Sequence, residues 1–214
     1  ELTRAAEYGY LSIRQHSGDY LHYVNNLCAV LLRQNQNSRA LKLMQDSFPE
    51  LKNTRSHHNR VGFASFYIRA LNKNNRSREA SDYAETFLSG YKEQIFELRW
   101  HTFFASWMQS LMSLEKYARI LQLSKRHNLL ERESEYRLRA VYLPTISWYY
   151  AVSAYKECEI SLPDLLTLVH EPALPLLPDP HKCRLMADLS RELHPHVPEV
   201  FFVDGRVQGL KFTL

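Results

Sequence analysis

Glycine is scarce in this chain of 214 residues, which holds only 6 where ordinary usage of roughly 7% would supply about 15. Tight turns and hairpins call for residues that tolerate positive φ, and helices are weakened by them, so the deficit favours helix. Cysteine is sparser still. Cys28, Cys158 and Cys183 are odd in number and far apart, which implies no disulfide framework and suits a reducing, cytoplasmic setting. On that ground the triplet Asn75-Arg76-Ser77, formally a glycosylation acceptor, is read as chance. No apolar run reaches the roughly 20 residues needed to cross a bilayer, and no signal peptide is evident, so no membrane partner is expected. The first residues are Glu1-Leu2-Thr3-Arg4, with no initiator Met; a piece of a longer multidomain protein, or a processed chain, is expected.

Motifs that carry chemistry are missing as well. There is no G-x-S-x-G, P-loop, dinucleotide or H-E-x-x-H pattern, and six glycines leave little material for a phosphate cradle. Catalysis needs a positioned nucleophile, acid or base, and none is indicated, so no enzyme activity and no cofactor are expected. What is present is ordinary for a folded protein: 45% hydrophobic and 23% charged residues, with a formal net charge of +4. Wholesale disorder is thereby disfavoured.

Self-similarity is the informative feature. Leu31, Leu71 and Leu111 recur forty residues apart. The same shift aligns Tyr23 with Phe63 and Phe103, Leu27 with Tyr67 and Trp107, Ala40 with Ala80 and Ile120, and Leu43 with Tyr83 and Leu123. Positions 23, 24, 27 and 31 lie at helical spacing and mark one buried stripe. Positions 40, 43 and 44 mark another after a polar break, 33–38 in the first unit and 72–77 in the second. Short breaks of this kind join antiparallel helices. Three helical hairpins are predicted: 20–34 with 38–50, 60–73 with 77–91, and 97–112 with 114–128.

The flanks are less regular. A lone helix is predicted over 3–15, followed by the break Ser17-Gly18-Asp19. A helix is predicted over 131–157, bent where Pro144 removes a donor. Ser161 is the expected N-cap of a short helix, Pro172, Pro175, Pro178 and Pro180 end regular structure, and a last helix covers about 181–193. Asp204-Gly205 between apolar runs predicts a β-hairpin tail. The expected organisation is all-α: a partial repeat or capping helix over 1–17, three hairpins over 18–130, a helical cap over 131–195, and the hairpin tail over 196–214.

The forty-residue hairpin resembles the tetratricopeptide-like class of helical repeats over about residues 20–130. Counted from 21, 61 and 101, the seventh position is Leu27, Tyr67 and Trp107, the eleventh Leu31, Leu71 and Leu111, and the twentieth Ala40, Ala80 and Ile120, matching the family's buried positions by residue class. The eighth position departs from the family's small residue (Cys28, Ile68, Met108), and Lys52, Lys92 and Arg132 replace its proline. The resemblance implies an α-solenoid whose inner wall, lined by the first helix of each unit, binds a peptide or protein surface. The stripe of those helices expected to stay unburied is His22, Asn25, Asn26, Ala29 and Arg33, then Ser65, Arg69 and Lys73 beside Phe66, then Thr102, Ser106, Gln109 and Ser113. The expected contact residues are His22, Asn25, Asn26, Arg33, Ser65, Arg69, Lys73 and Gln109. Their amides and cations suit an acidic segment or terminal carboxylate.

Two further readings compete. Arg55, Arg60, Lys73, Arg76, Arg78, Lys125, Arg126, Arg137 and Arg139 lie mostly at hairpin ends, where they would form a phosphate-binding ridge for nucleic acid. Against this, Glu131, Glu133 and Glu135 are interspersed, and the aromatics occupy stripe positions unsuited to base stacking. Alternatively, the segment is a spacer or sensor arm of a signalling protein. His181, Cys183, His194 and His196 are residue types that zinc accepts, but their spacing fits no strong signature, and no metal is expected. His57-His58 is read as part of a polar loop between repeats.

Overall fold

A computed structural model describes residues 20–54, 56–91, 98–130, 139–165, 191–198, 200–203 and 206–210. The predicted helix over 3–15 and most of the one over 181–193 lie outside them. The described residues are mainly helical, as the composition requires: α1 (Tyr20–Arg33), α2 (Asn37–Asp46), α3 (His57–Lys73), α4 (Ser77–Ser89), α5 (Leu98–Ser113), α6 (Tyr117–Arg126) and α7 (Arg139–Lys156), with a 3-10 turn at Phe48–Lys52. None of the helices searched is long and apolar enough to cross a membrane. The chain divides into two compact units, 1–114 and 115–214. The boundary falls between α5 and α6, inside the third expected hairpin.

In the first unit, α1 packs on α2 and α3 on α4, and α3 also touches α1, α2 and α5. A helix with neighbours all round buries most of its circumference. Residues 61–66, 68, 70 and 71 of α3 are buried, and so are 100–108 of α5. The core is aromatic. Phe48 meets Phe63, Tyr67 and Tyr83 edge-on; Phe87 continues the row to Tyr91, Trp100 and Phe103; Phe104 and Trp107 complete it. Such pairs contribute about 0.5–1.5 kcal/mol each beyond area burial. Trp107 donates its indole N–H to the Ser81 hydroxyl (3.3 Å), tying α5 to α4.

Helices α1, α3 and α5 each run into a left-handed residue, and the first two close with the same hydrogen bonds. Asn35 and Asn75 sit at φ 57° and 58°, and Glu115 at 55°. The amide of Gln36 bonds the Leu31 carbonyl (2.9 Å) and that of Arg76 the Leu71 carbonyl (3.0 Å), while Asn35 and Asn75 bond Leu32 and Asn72. This is the Schellman arrangement, in which a left-handed residue turns the chain back to satisfy the last carbonyls. Leu31, Leu71 and Leu111 are all buried, so each leucine anchors a helix beside its exit turn. At the start of α3, the Ser56 hydroxyl accepts from the Asn59 amide (3.3 Å), as an N-cap should.

In the second unit α6 packs on α7, which runs through Pro144 as one helix. Two more left-handed caps follow, Asn128 and Cys158, with Leu129 bonding the Ser124 carbonyl and Glu159 the Ala154 carbonyl. Ser161 and Asp164 form a reciprocal capping box: the Asp164 amide reaches the serine hydroxyl, and the Asp164 carboxylate accepts from the serine N–H and O–H. Those bonds hold the Asp164 carboxyl below its usual range. Val200–Val203 pairs antiparallel with Arg206–Leu210, with a bulge between Phe201 and Phe202. The Asp204-Gly205 turn between them lies outside the described residues.

Leu71→Ala should cost about 2–5 kcal/mol, the range for truncating a buried leucine, read from urea unfolding. Cys158→Gly should instead stabilise, by about 0.5–1 kcal/mol, because a left-handed non-glycine residue costs roughly 1–2 kcal/mol and the glycine's added chain entropy offsets only part of that.

Candidate functional site

The structure sorts the expected contact residues into two groups. On α1, His22, Asn26 and Arg33 are exposed, and the Asn26 amide meets the His22 imidazole Nε2 at 3.0 Å. Lys73 is exposed at the end of α3. Arg69 is half-buried, its guanidinium 5.6 Å from the centre of the Phe66 ring.

The others turn inward. Asn25 is 3% exposed and donates to the Asn59 carbonyl (3.2 Å), pinning α1 to the first turn of α3. Ser65 is fully buried, its hydroxyl bonded to the Val61 carbonyl one turn back (2.8 Å). Thr102 and Ser106 are buried too, with Ser106 bonded to the Thr102 carbonyl (2.7 Å). Gln109 is half-buried, 3.5 Å from the Asn72 amide. Ser113, at the end of α5, is exposed.

A continuous polar wall along the first helices is therefore not what these side chains make. The physical reason is local. A serine or threonine satisfies its hydroxyl on the carbonyl four residues earlier and so enters a helix contact with no orphaned group. From sequence alone such a residue looks like a solvated face.

Asparagines do the joining. Asn72 donates to the Ser106 carbonyl (3.0 Å) and accepts from the Ser110 hydroxyl (2.9 Å), linking α3 to α5. Asn74 donates to the Asn37 carbonyl (3.0 Å) and to Ala70 (2.7 Å), and Ser38 reaches its carbonyl oxygen (3.4 Å). These bonds set the two exit turns, 34–36 and 74–76, side by side.

Of the basic ridge, Arg55 and Arg137 lie outside the described residues. Arg76 is paired with Glu79 (2.5 Å) and Lys125 with Glu159 (3.1 Å). Arg60 lies over the Tyr91 ring, 5.9 Å from its centre. Cys28 is buried between helices, and burial pushes its thiol up to about 12, so it is a protonated core residue at neutral pH. Among the described residues no three metal ligands converge, and His181 and Cys183 lie outside them. His57 is hydrogen-bonded to the Tyr91 hydroxyl (3.1 Å).

No family model, curated protein or solved structure matches this chain. Its function must be argued from its own geometry.

In the second unit, the Tyr117 hydroxyl meets the His196 imidazole Nδ1 at 2.9 Å, and the Tyr149 hydroxyl meets the Glu192 carboxylate at 2.6 Å. These bonds, with buried Leu193 and Val197, dock 191–197 on the helices. Burial holds His196 below the usual histidine range, assisted by Lys156 and opposed by Glu115. The folded unit thus disfavours the proton. The stability it gains from neutral His196 is complete above about pH 6.5, the unperturbed value, and is lost as the pH falls from there through the folded value. Urea titrations at several pH values should show stability falling on acidification across that window, with a shallower fall for His196→Gln. An unchanged slope in the variant would remove His196 as the cause.

Proposed function

We propose that this chain is a non-catalytic, tetratricopeptide-like helical-repeat scaffold that holds a protein or peptide, as part of a larger protein. The observation that carries the reading is the side-by-side stacking of α1, α3 and α5, with the same left-handed exit turn at residues 35, 75 and 115. Repeats that stack on their neighbours present a broad outer surface to a partner.

Nucleic acid remains the second reading. Two of its ridge cations are committed to carboxylates, and the rings of the first unit contact one another, which leaves few faces for bases. A spacer or sensor arm would use the same body without a fixed partner. The exposed free thiol of Cys158 supports a reducing, cytoplasmic location.

The test is capture from native lysate with and without nuclease treatment, followed by reconstitution of the complex from purified components and calorimetry. A stoichiometric protein complex is expected. Recovery of nuclease-sensitive material alone, or no reconstituted complex, would replace this reading with one of the others.

A further inference from the structure

The two aligned exit turns carry a concentration of positive charge. Segments 33–39 and 73–79 contain five cations, Arg33, Arg39, Lys73, Arg76 and Arg78, against one carboxylate, Glu79. Glu79 is already held by Arg76. Arg33, Arg39, Lys73 and Arg78 are exposed. Arg33 and Lys73 close the last turns of α1 and α3, where a cation complements the helix dipole. Arg39 and Arg78 lie at the opposite kind of helix end, Arg39 donating to the Gln36 side-chain oxygen (2.6 Å). They sit in the first turns of α2 and α4, the positive ends, where the dipole disfavours them; α2 has no acidic residue there. Cations placed at both the favourable and the unfavourable ends concentrate positive charge on one rim of the unit.

That rim is also pre-formed. Asn74 and Ser38 tie one turn to the next, and the turns share one backbone geometry. Little ordering cost remains for a ligand laid across them. The far ends of these hairpins have a more even balance, with Asp46 and Glu50 against Lys52, Arg55 and Arg60.

We infer that this rim, rather than the first-helix wall, is the docking surface, and that its occupant is an acidic, extended segment of a partner protein. The inference rests on the protein-binding reading and specifies its surface and its partner chemistry. Adjacent packed helices are about 8–10 Å apart, a stride of two to three residues of extended chain, so carboxylates at that spacing meet successive turns. The amides of Asn35 and Asn75, exposed beside the cations, suit a peptide backbone. No aromatic residue lies in either segment, so the rim has no platform for bases, which favours a peptide over a nucleic acid strand.

The test uses the whole chain and a short fluorescein-labelled peptide of alternating glutamate and alanine, read by fluorescence anisotropy. The double variant Arg33→Glu/Lys73→Glu should bind it roughly tenfold more weakly, as loss of two exposed charge contacts implies. Lys52→Glu, at the far end, should bind like the parent. Affinity should fall with added salt. The Arg33→Gln/Lys73→Gln variant covers any folding defect from charge reversal and should also weaken binding. Equal affinity of parent and both double variants would overturn the rim, as would preference of the parent for a neutral peptide or single-stranded RNA. A protein complex that reconstitutes equally with parent and double variant would also remove the rim but leave the scaffold reading standing; failure of any protein complex would remove the scaffold reading itself.

Discussion

The all-round burial of α3 is the constraint on which the first unit depends, because a helix with neighbours on every side must satisfy each of its polar groups internally. Its apolar positions are filled by Val61, Phe63, Phe66, Ile68 and Leu71, and its first turn is closed by Ser56. Some of its polar side chains become joints. Ser65 folds back on its own helix, Asn72 bridges to α5, and Asn74, just past its end, bridges to the first residue of α2. A buried, satisfied amide is worth only about a kilocalorie per mole net, but leaving its partner unpaired costs more. These bonds therefore fix alignment more than they add stability.

That alignment has a functional consequence. With asparagines locking these neighbouring turns together, the first hairpin presents its loop end at the same level as the second. Charges placed at equivalent positions in neighbouring hairpins then form a row. The face expected to be open, along the first helices, is partly taken up by packing: Asn25 and Ser65 are buried, whereas His22, Asn26, Arg33 and Lys73 stay exposed. The poverty in glycine adds to this. The left-handed caps are made by Asn35, Asn75, Glu115, Asn128 and Cys158, and side chains at those positions decorate the loop ends where glycine would leave them bare.

Much of the architecture was legible beforehand, for specific reasons. The leucines at 31, 71 and 111 mark helix ends because a buried anchor next to a polar break is a strong local signal, and the predicted boundaries of the first four helices lie within a few residues of those observed. Ser161 was legible as a cap because its partner Asp164 stands three residues away. The candidate site was much less legible. Asn25, Ser65 and Ser106 look like solvated positions by residue type, and only neighbouring helices remove them from water. The rim had a signal in the recurrent Arg33 and Lys73, but its meaning required the two turns to be side by side.

Composition and periodicity by themselves determined that the chain is helical, where its first helices turn, and which leucines they bury, since these follow from local backbone preferences and a stripe repeating at helical spacing. Which polar residues face solvent was decided by tertiary structure alone. A helix contributes the same serine or asparagine to a joint or to a surface, and the choice depends on what packs against it from elsewhere in the chain.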